Sequence, residues 1–254
     1  MSNNISVHQI WLSFNNGRTP SNIHEMCINA WKSMYPSYKL WQNEDALSLI
    51  RNSYPMFLPL FEDTTLKYPI IKCDVLRLII LYHLGGIYAD IDIYPLRPIS
   101  FHEETSFEII LTDEWYKSSQ LTESVHNAIM IARKKKNTFW LSLALDILQK
   151  YKSGELPQTE SEVFDFSGPK FINTMVRKHL FHYENKLTVL PYYYFCPFDI
   201  IDDNEKEHIM SNNESKVVPG RWVYPCINTN NMESALKRYP QSFTLFIHQN
   251  SLWK

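Results

Sequence analysis

The chain has 254 residues, 44% of them hydrophobic and 20% charged, which is enough to bury one sizeable core. Its 25 basic and 27 acidic side chains give a formal net charge of −2 and lack the basic excess typical of nucleic-acid binding. No window approaches the roughly 18 consecutive apolar residues of a membrane span, and residues 1–6 do not resemble a secretory signal. We therefore expect a single domain over residues 1–254, with no transmembrane anchor and no nucleic-acid partner.

The cysteines are widely spaced and form no Cys-x-x-Cys pair: Cys27, Cys73, Cys196 and Cys226. This spacing argues against a zinc ribbon and against a thioredoxin-like redox motif. Reduced thiols in the cytoplasm are the simplest interpretation.

The N-terminal half begins as α/β domains commonly do, with a strand at Ile5–Leu12, a turn at Asn15–Pro20 and a helix at Ser21–Met34. The later predicted elements, in chain order, are a strand at Tyr38–Gln42, helices at Asn43–Arg51 and Asp74–Leu84, strands at Ile87–Ile93 and Phe107–Thr112, helices at Thr138–Tyr151 and Pro169–His179, and strands at Leu187–Leu190 and Thr244–His248. Helices and strands alternate along much of this order. The alternation predicts the α/β class.

The helix at Asp74–Leu84 is apolar nearly all round, which predicts burial on most sides. Gly85 and Gly86 follow it directly and predict a helix end with positive φ. The next segment, Ile87–Ile93, alternates apolar and polar residues as a half-buried strand does.

The polar face of that strand contains the motif Asp90-Ile91-Asp92. Residues two apart on a strand share a face, so the two Cα atoms should lie about 7 Å apart. Paired carboxylates favour hard cations such as Mg²⁺ or Mn²⁺, which commonly bind substrate phosphates as well. Two surface acids at a solvated strand end remain the alternative for so short a motif.

Asp74 and Arg77 lie three residues apart and share one face of the apolar helix. Burying both is costly unless their polar groups find partners. Two interpretations are open, a simple intrahelical salt bridge or contacts with a polar ligand such as a sugar hydroxyl.

The segments Lys72–Arg77 and Leu81–Asp92 together resemble the signature of glycosyltransferases with a D-x-D sugar-binding region. This family includes fungal initiating mannosyltransferases, bacterial capsular polysaccharide transferases and, more distantly, the catalytic domains of large clostridial glucosylating toxins. The resemblance implies a GT-A type, Rossmann-like fold with a mixed central sheet. It also implies a Mn²⁺- or Mg²⁺-dependent transferase that moves a hexose from a nucleotide-diphosphate sugar, with retention of configuration.

The same resemblance implies roles for individual residues. The metal ligands would be Asp90, Asp92 and His248, although the toxins have Glu where this chain has His248. The catalytic residues would be Asp90, Asp92 and Arg77. The donor-binding residues would be Ile10, Trp11, Asp74, Arg77, Tyr88, Asp90, Asn127, Gly168, Pro169, Ser251 and Trp253. In this scheme the metal neutralises charge on the leaving nucleotide diphosphate, while Trp11 holds the base.

The expected donor is a UDP-hexose or GDP-mannose, and the expected acceptor is a glycan, a lipid-linked glycan or a protein. A cytoplasmic enzyme of bacterial or viral style, active in polysaccharide biosynthesis, fits these expectations. Two alternatives stay open at this point. One is an aspartate-based phosphohydrolase with Asp90 as nucleophile, and the other is a non-catalytic carbohydrate-binding protein.

Overall fold

The computed structural model of the protein describes residues 5–14, 19–99, 106–113, 125–183, 186–191, 194–195 and 240–246. The strands are β1 (Val7–Ile10), β2 (Tyr38–Trp41), β3 (Gly86–Ala89), β4 (Ile93–Pro95), β5 (Ile109–Asp113), β6 (Val125–Ala132), β7 (Leu187–Leu190) and β8 (Thr244–Phe246). The helices are α1 (Asn22–Met34), α2 (Asn43–Ser53), α3 (Leu58–Glu62), α4 (Ile70–Leu84), α5 (Thr138–Lys152), α6 (Glu160–Phe166) and α7 (Pro169–Tyr183), and a short 3₁₀ turn occupies Pro55–Phe57.

Six strands form the central sheet in the order β2-β1-β3-β6-β5-β7. The pairs β1–β2, β1–β3 and β5–β7 are parallel, while β6 runs antiparallel to both β3 and β5. A separate two-stranded sheet pairs β4 with β8. The mixed central sheet predicted from the sequence is thus present.

Both faces of the central sheet are buried, because alternate side chains of one strand enter different apolar clusters. In β3, Tyr88 packs into the larger cluster with α4 and α5, whereas Ile87 and Ala89 pack into the smaller one with Trp31 of α1. A sheet covered by helices on both sides is the layered arrangement of α/β domains. The one-domain expectation for residues 1–254 stays a prediction.

Helix α4 is the central helix, and its residues Ile70, Ile71 and Cys73–Leu81 are all buried. It begins four residues before the predicted start and ends at Leu84, as predicted. Gly85 has φ of 68° and Gly86 has φ of 90°, so both adopt the conformation that the glycine pair indicated. A Cβ on Gly86 would lie 2.3 Å from the Ser6 carbonyl oxygen, which accepts a hydrogen bond from Ile87 N in the strand pairing. This glycine therefore permits β3 to pair directly after the helix.

The strand predicted over Ile87–Ile93 is wrong in its second half. β3 ends at Ala89, a turn occupies residues 90–92, and the chain then enters the other sheet as β4. Ile93 N donates to the Asp90 carbonyl at 3.0 Å, which closes the turn within the chain instead of extending a ladder to a neighbour. The sequence pattern also did not separate β6, α3 or α6 as elements.

Candidate active site at the end of β3

Three side chains meet around the guanidinium of Arg77, where β3 leaves the central sheet. Arg77 Nη2 lies 2.9 Å from Asp74 Oδ1, and Arg77 Nη1 lies 3.2 Å from Asp90 Oδ1. The guanidinium carbon also lies 4.7 Å from the centre of the Tyr88 ring. Asp74 and Arg77 are each only 4% exposed, so water screens their ion pair little. We call Asp74, Arg77, Tyr88 and Asp90 the Arg77 cluster.

Helix α4 supplies the two buried charges, and the intrahelical salt bridge between them is confirmed. Arg77 also reaches beyond its own helix, because Nη1 donates to the Asn127 carbonyl of β6 at 2.8 Å. The structure therefore brings the predicted residue Asn127 to the cluster through its backbone. One guanidinium thus joins α4, the end of β3 and β6. It can do so because its N–H donors point in several fixed directions.

Ser167 is a member of the site, although the sequence predicted roles only for its neighbours Gly168 and Pro169. Its hydroxyl donates to Asp74 Oδ2 at 2.6 Å, and the residue is 1% exposed. Ser167 lies between α6 and α7, directly before the predicted residues Gly168 and Pro169. Ser167 and Asp74 are 93 residues apart, so no local pattern could have connected them.

The D-x-D motif lies on the turn at residues 90–92 and not on one face of a strand, which corrects the predicted placement of Asp90 and Asp92. Asp90 N donates to Ala128 O at 2.7 Å, which holds the start of the turn against β6. Asp90 O accepts from Ile93 N and also from Gln9 Nε2, the latter at 3.0 Å. The turn is thus held by both strands that flank β3, by β6 through Ala128 and by β1 through Gln9.

The two oxygens of the Asp90 carboxylate differ in their surroundings. Oδ1 accepts from the Tyr88 hydroxyl and pairs with Arg77. Oδ2 makes no hydrogen bond to any residue that the structure describes, and the side chain is 29% exposed. Asp90 is therefore anchored through one oxygen while the other can accept a ligand.

Asp92 is 8% exposed, and its charge acts on the buried thiol of Cys27 in α1. Burial is the larger cause that raises the pKa of that thiol, and Asp92 adds to it. The predicted third ligand, His248, and the predicted donor contacts Ser251 and Trp253 lie outside the described residues. Within the described ranges, no three His, Cys, Asp or Glu side chains are grouped to hold a metal ion.

Burial shifts the protonation of the cluster. It raises the pKa of Asp74 to about 6, although Arg77 and the Ser167 hydrogen bond oppose this shift. Burial likewise raises the pKa of Asp90, against the opposing effects of Arg77 and Tyr88. Burial alone would lower the pKa of Arg77, but the neighbouring Tyr88, Asp90 and Asp74 outweigh it and raise the pKa. The guanidinium therefore remains charged.

The donor set fits a hard divalent cation. Asp90 offers an oxygen that is not engaged by the described residues, and Asp92 places a second carboxylate on the same turn. Carboxylate oxygens are what Mg²⁺ and Mn²⁺ prefer, and two such ligands leave positions for substrate phosphate and water.

Trp11 directly follows β1, at the same end of the parallel strands β1 and β3 as the D-x-D turn. The centre of its ring lies 5.7 Å from the centre of the His24 ring, and Trp11 is 6% exposed. Trp11 lines an open pocket of about 540 Å³ together with Gln42 and the first residues of α2. Ile10 is 3% exposed and packs in the larger apolar cluster, so its side chain supports the sheet.

Comparison with known proteins supports the resemblance described above. Residues 21–141 match the family model described as the glycosyltransferase sugar-binding region containing the DXD motif. The matched segment includes Asp74, Arg77, Tyr88, Asp90 and Asp92. The predicted resemblance to the D-x-D glycosyltransferases is therefore confirmed.

Two curated fungal proteins show the similarity in sequence. Inositol phosphoceramide mannosyltransferase 1 of Schizosaccharomyces pombe is 26% identical over 198 residues, which cover 73% of this chain and 54% of that protein. Mannosyl phosphorylinositol ceramide synthase SUR1 of Saccharomyces cerevisiae is 46% identical over 61 residues, 23% of this chain and 15% of that protein. The chain thus spans about half the length of the first relative.

A solved structure shows the similarity in fold. The ligand-free glycosyltransferase domain from the YGT toxin superposes with a TM-score of 0.50 at 10% identity, covering 74% of this chain and 80% of that chain. Together with the six-stranded mixed sheet, this confirms the predicted GT-A type fold. In the part of the chain that the structure describes, no helix combines the length and apolarity needed to cross a bilayer.

Proposed function

We propose that this chain is a metal-dependent glycosyltransferase that moves mannose from GDP-mannose to a hydroxyl acceptor with retention of configuration. The observation that supports this most directly is the Arg77 cluster, which holds one oxygen of Asp90 and leaves the other for a ligand. The site follows β3 at the carboxyl edge of β1 and β3, where open α/β sheets bind their ligands.

A divalent ion bound by Asp90 and Asp92, with His248 as the proposed third ligand, would supply Lewis-acid stabilisation of the leaving diphosphate. The chain's own residues prepare the site for it. Arg77 and Tyr88 fix Asp90 Oδ1, and Ser167 fixes Asp74. Preorganised groups of this kind lower a barrier because they need no reorganisation during the reaction.

The donor contacts remain proposals. Trp11 and the pocket beside it suit the nucleotide base, since an aromatic face can stack on any base. Asp74, Arg77, Tyr88, Asn127, Gly168 and Pro169 would surround the sugar, with Ser251 and Trp253 over the phosphates. Asp74 and Arg77 are so deeply buried that we expect them to act mainly by orienting Asp90.

The choice of mannose, and of a lipid that contains phosphoinositol as acceptor, rests on the names of the two fungal relatives. UDP-hexose donors and glycan or protein acceptors are the competing outcomes of the test. The cytoplasmic localisation expected from the sequence stays a prediction.

The first experiment measures the melting temperature of the purified chain with GDP-mannose, UDP-glucose, UDP-galactose and UDP-N-acetylglucosamine. Each donor is tested with Mn²⁺ and with EDTA, because a ligand that binds only the folded state raises the melting temperature. We expect a Mn²⁺-dependent rise with GDP-mannose, which then enters a transfer assay against lipid, glycan and peptide acceptors. A folded protein that responds to no donor, or that releases inorganic phosphate from phosphate esters, would contradict the proposal.

A further inference from the structure

The side-chain amide of Gln9 connects the D-x-D turn to β1 and β2, which lie on the side of β3 opposite β6. Gln9 is fully buried in β1, and its Nε2 donates to the Asp90 carbonyl at 3.0 Å. Its Oε1 accepts from the Tyr38 hydroxyl of β2 at 2.9 Å. A chain of hydrogen bonds therefore runs from β2 through β1 to the first residue of the turn.

The partners determine which way the amide points. The Asp90 carbonyl can only accept, so the nitrogen of Gln9 must face it. The oxygen then faces Tyr38, which must donate. Burial raises the pKa of Tyr38, so the phenol keeps the proton that it donates. Each group in the chain has one consistent role.

Gln9 takes over where the backbone ladder stops. The parallel pairing of β1 with β3 ends at His8 and Tyr88, one residue before Ala89 and two before Asp90. Beyond this point the Gln9 side chain supplies a bond from β1 to the chain that follows β3. The Asp90 carbonyl also accepts from Ile93 N, so the same oxygen closes the turn and anchors it.

We propose that Gln9, held by Tyr38, is a positioning residue that sets the 90–93 turn so that the carboxylates of Asp90 and Asp92 face one divalent ion. This inference rests on the proposed metal-dependent function and assigns a role in it to two residues whose hydrogen bonds reach the backbone of the turn. An outer partner that orients metal ligands commonly contributes about 10- to 100-fold to metal affinity or activity.

The test compares Gln9→Met, which keeps the length of the side chain without its hydrogen bonds, with the milder Tyr38→Phe. Tyr183→Phe is the matched control, because it removes a tyrosine hydroxyl bonded at 2.9 Å to Thr138 in a different part of the fold. Mn²⁺ affinity is measured in the presence of GDP by water-proton relaxation, which needs no turnover. Donor kcat and KM are measured separately at saturating Mn²⁺.

We expect the Kd for Mn²⁺ to rise about ten-fold or more in Gln9→Met, as for other outer partners of metal ligands. In Tyr38→Phe it should rise roughly three-fold, in line with one lost hydrogen bond. Tyr183→Phe should match the unmodified chain in its Kd for Mn²⁺. In Gln9→Met and Tyr38→Phe, the fall in kcat should be larger than the change in the donor KM. If Gln9→Met does not fold, Tyr38→Phe against Tyr183→Phe decides the question.

Two kinds of failure are distinguishable. If the unmodified chain binds Mn²⁺ and transfers sugar while the folded variants at positions 9 and 38 match it, the positioning role is overturned and the proposed function stands. If the unmodified, folded chain binds no Mn²⁺ with any nucleotide, the proposed function itself is overturned, and the role of Gln9 with it.

Discussion

Replacing Arg77 by methionine should destabilise the fold far more than the same change at an exposed ion pair. Methionine keeps much of the side-chain length and removes the charge, so Asp74 and Asp90 lose their shared cation. Arg77→Met also removes the donor to the Asn127 carbonyl. We expect the loss to exceed that of a single contact, because two carboxylates are affected together.

The size of the effect follows from burial. Breaking a buried ion pair by removing one partner typically costs about 3–5 kcal/mol, because the remaining charge is left without compensation. An exposed pair contributes only about 0–1 kcal/mol. Arg51 and Glu62 form such a pair at 2.8 Å, close to the 2.9 Å of Arg77 and Asp74, but their side chains are 56% and 48% exposed. Arg51→Met is therefore the matched control.

The assay is urea unfolding at neutral pH, which gives the free energy of unfolding and its dependence on urea for each variant. We expect Arg77→Met to lose about 3–5 kcal/mol and Arg51→Met less than about 1 kcal/mol. For a chain of this size, the first loss corresponds to a fall in melting temperature of roughly 10 °C. Equal losses in the two variants would refute the reasoning from burial.

Three further predictions concern the D-x-D turn, the protonation of His8 in β1 and the glycine pair after α4. Asp92→Asn should lower kcat/KM for sugar transfer at least about 100-fold, since a proposed metal ligand is lost, and unchanged turnover at saturating Mn²⁺ would contradict this. Burial lowers the pKa of His8 to about 4, so the folded chain stays neutral there while the unfolded chain takes up a proton as the pH falls below 6.5. Unfolding free energies should therefore decline by up to about 3 kcal/mol between pH 6.5 and 4 through this residue, and a folded His8→Gln variant should show a shallower decline. Parallel curves for the two proteins would be evidence against that assignment. In Gly86→Ala the new Cβ would lie 2.3 Å from Ser6 O, whereas in Gly154→Ala no atom would lie within 4 Å of it. We expect Gly86→Ala to lower the free energy of unfolding by well above the roughly 1 kcal/mol expected of Gly154→Ala. Thermal unfolding of the two variants tests this difference.

Several elements could be predicted because their signals are local. The strand at Leu187–Leu190 was predicted with its observed bounds, and α4 ends at the predicted residue. The apolar composition of α4 indicated its burial, and the glycine pair indicated the positive φ that follows. Periodicity and backbone stereochemistry act over a few residues, so one sequence suffices to detect them.

The D-x-D segment shows where local patterns fail. Alternation from Ile87 to Ile93 favours one strand, but a strand exists only while a neighbour pairs with it. The registered pairing of β3 with β6 ends at Ala89. Asp90 N still donates to Ala128 O of β6, but the Asp90 carbonyl accepts from Ile93 N within a turn. Pairing depends on where β1, β6 and β8 lie, which the alternation itself does not contain.

The sequence by itself determined the α/β class, the D-x-D resemblance and the chemistry of the carboxylates, because these depend on residue types and short spacings. Only the tertiary structure decided which distant residues hold the D-x-D turn and the buried Asp74 beside it. Gln9 meets Asp90 across 81 residues, and Ser167 meets Asp74 across 93. Hydrogen bonds and buried ion pairs act over a few ångströms in space, so partners far apart in sequence are brought into range only when the sheet and α4 are assembled.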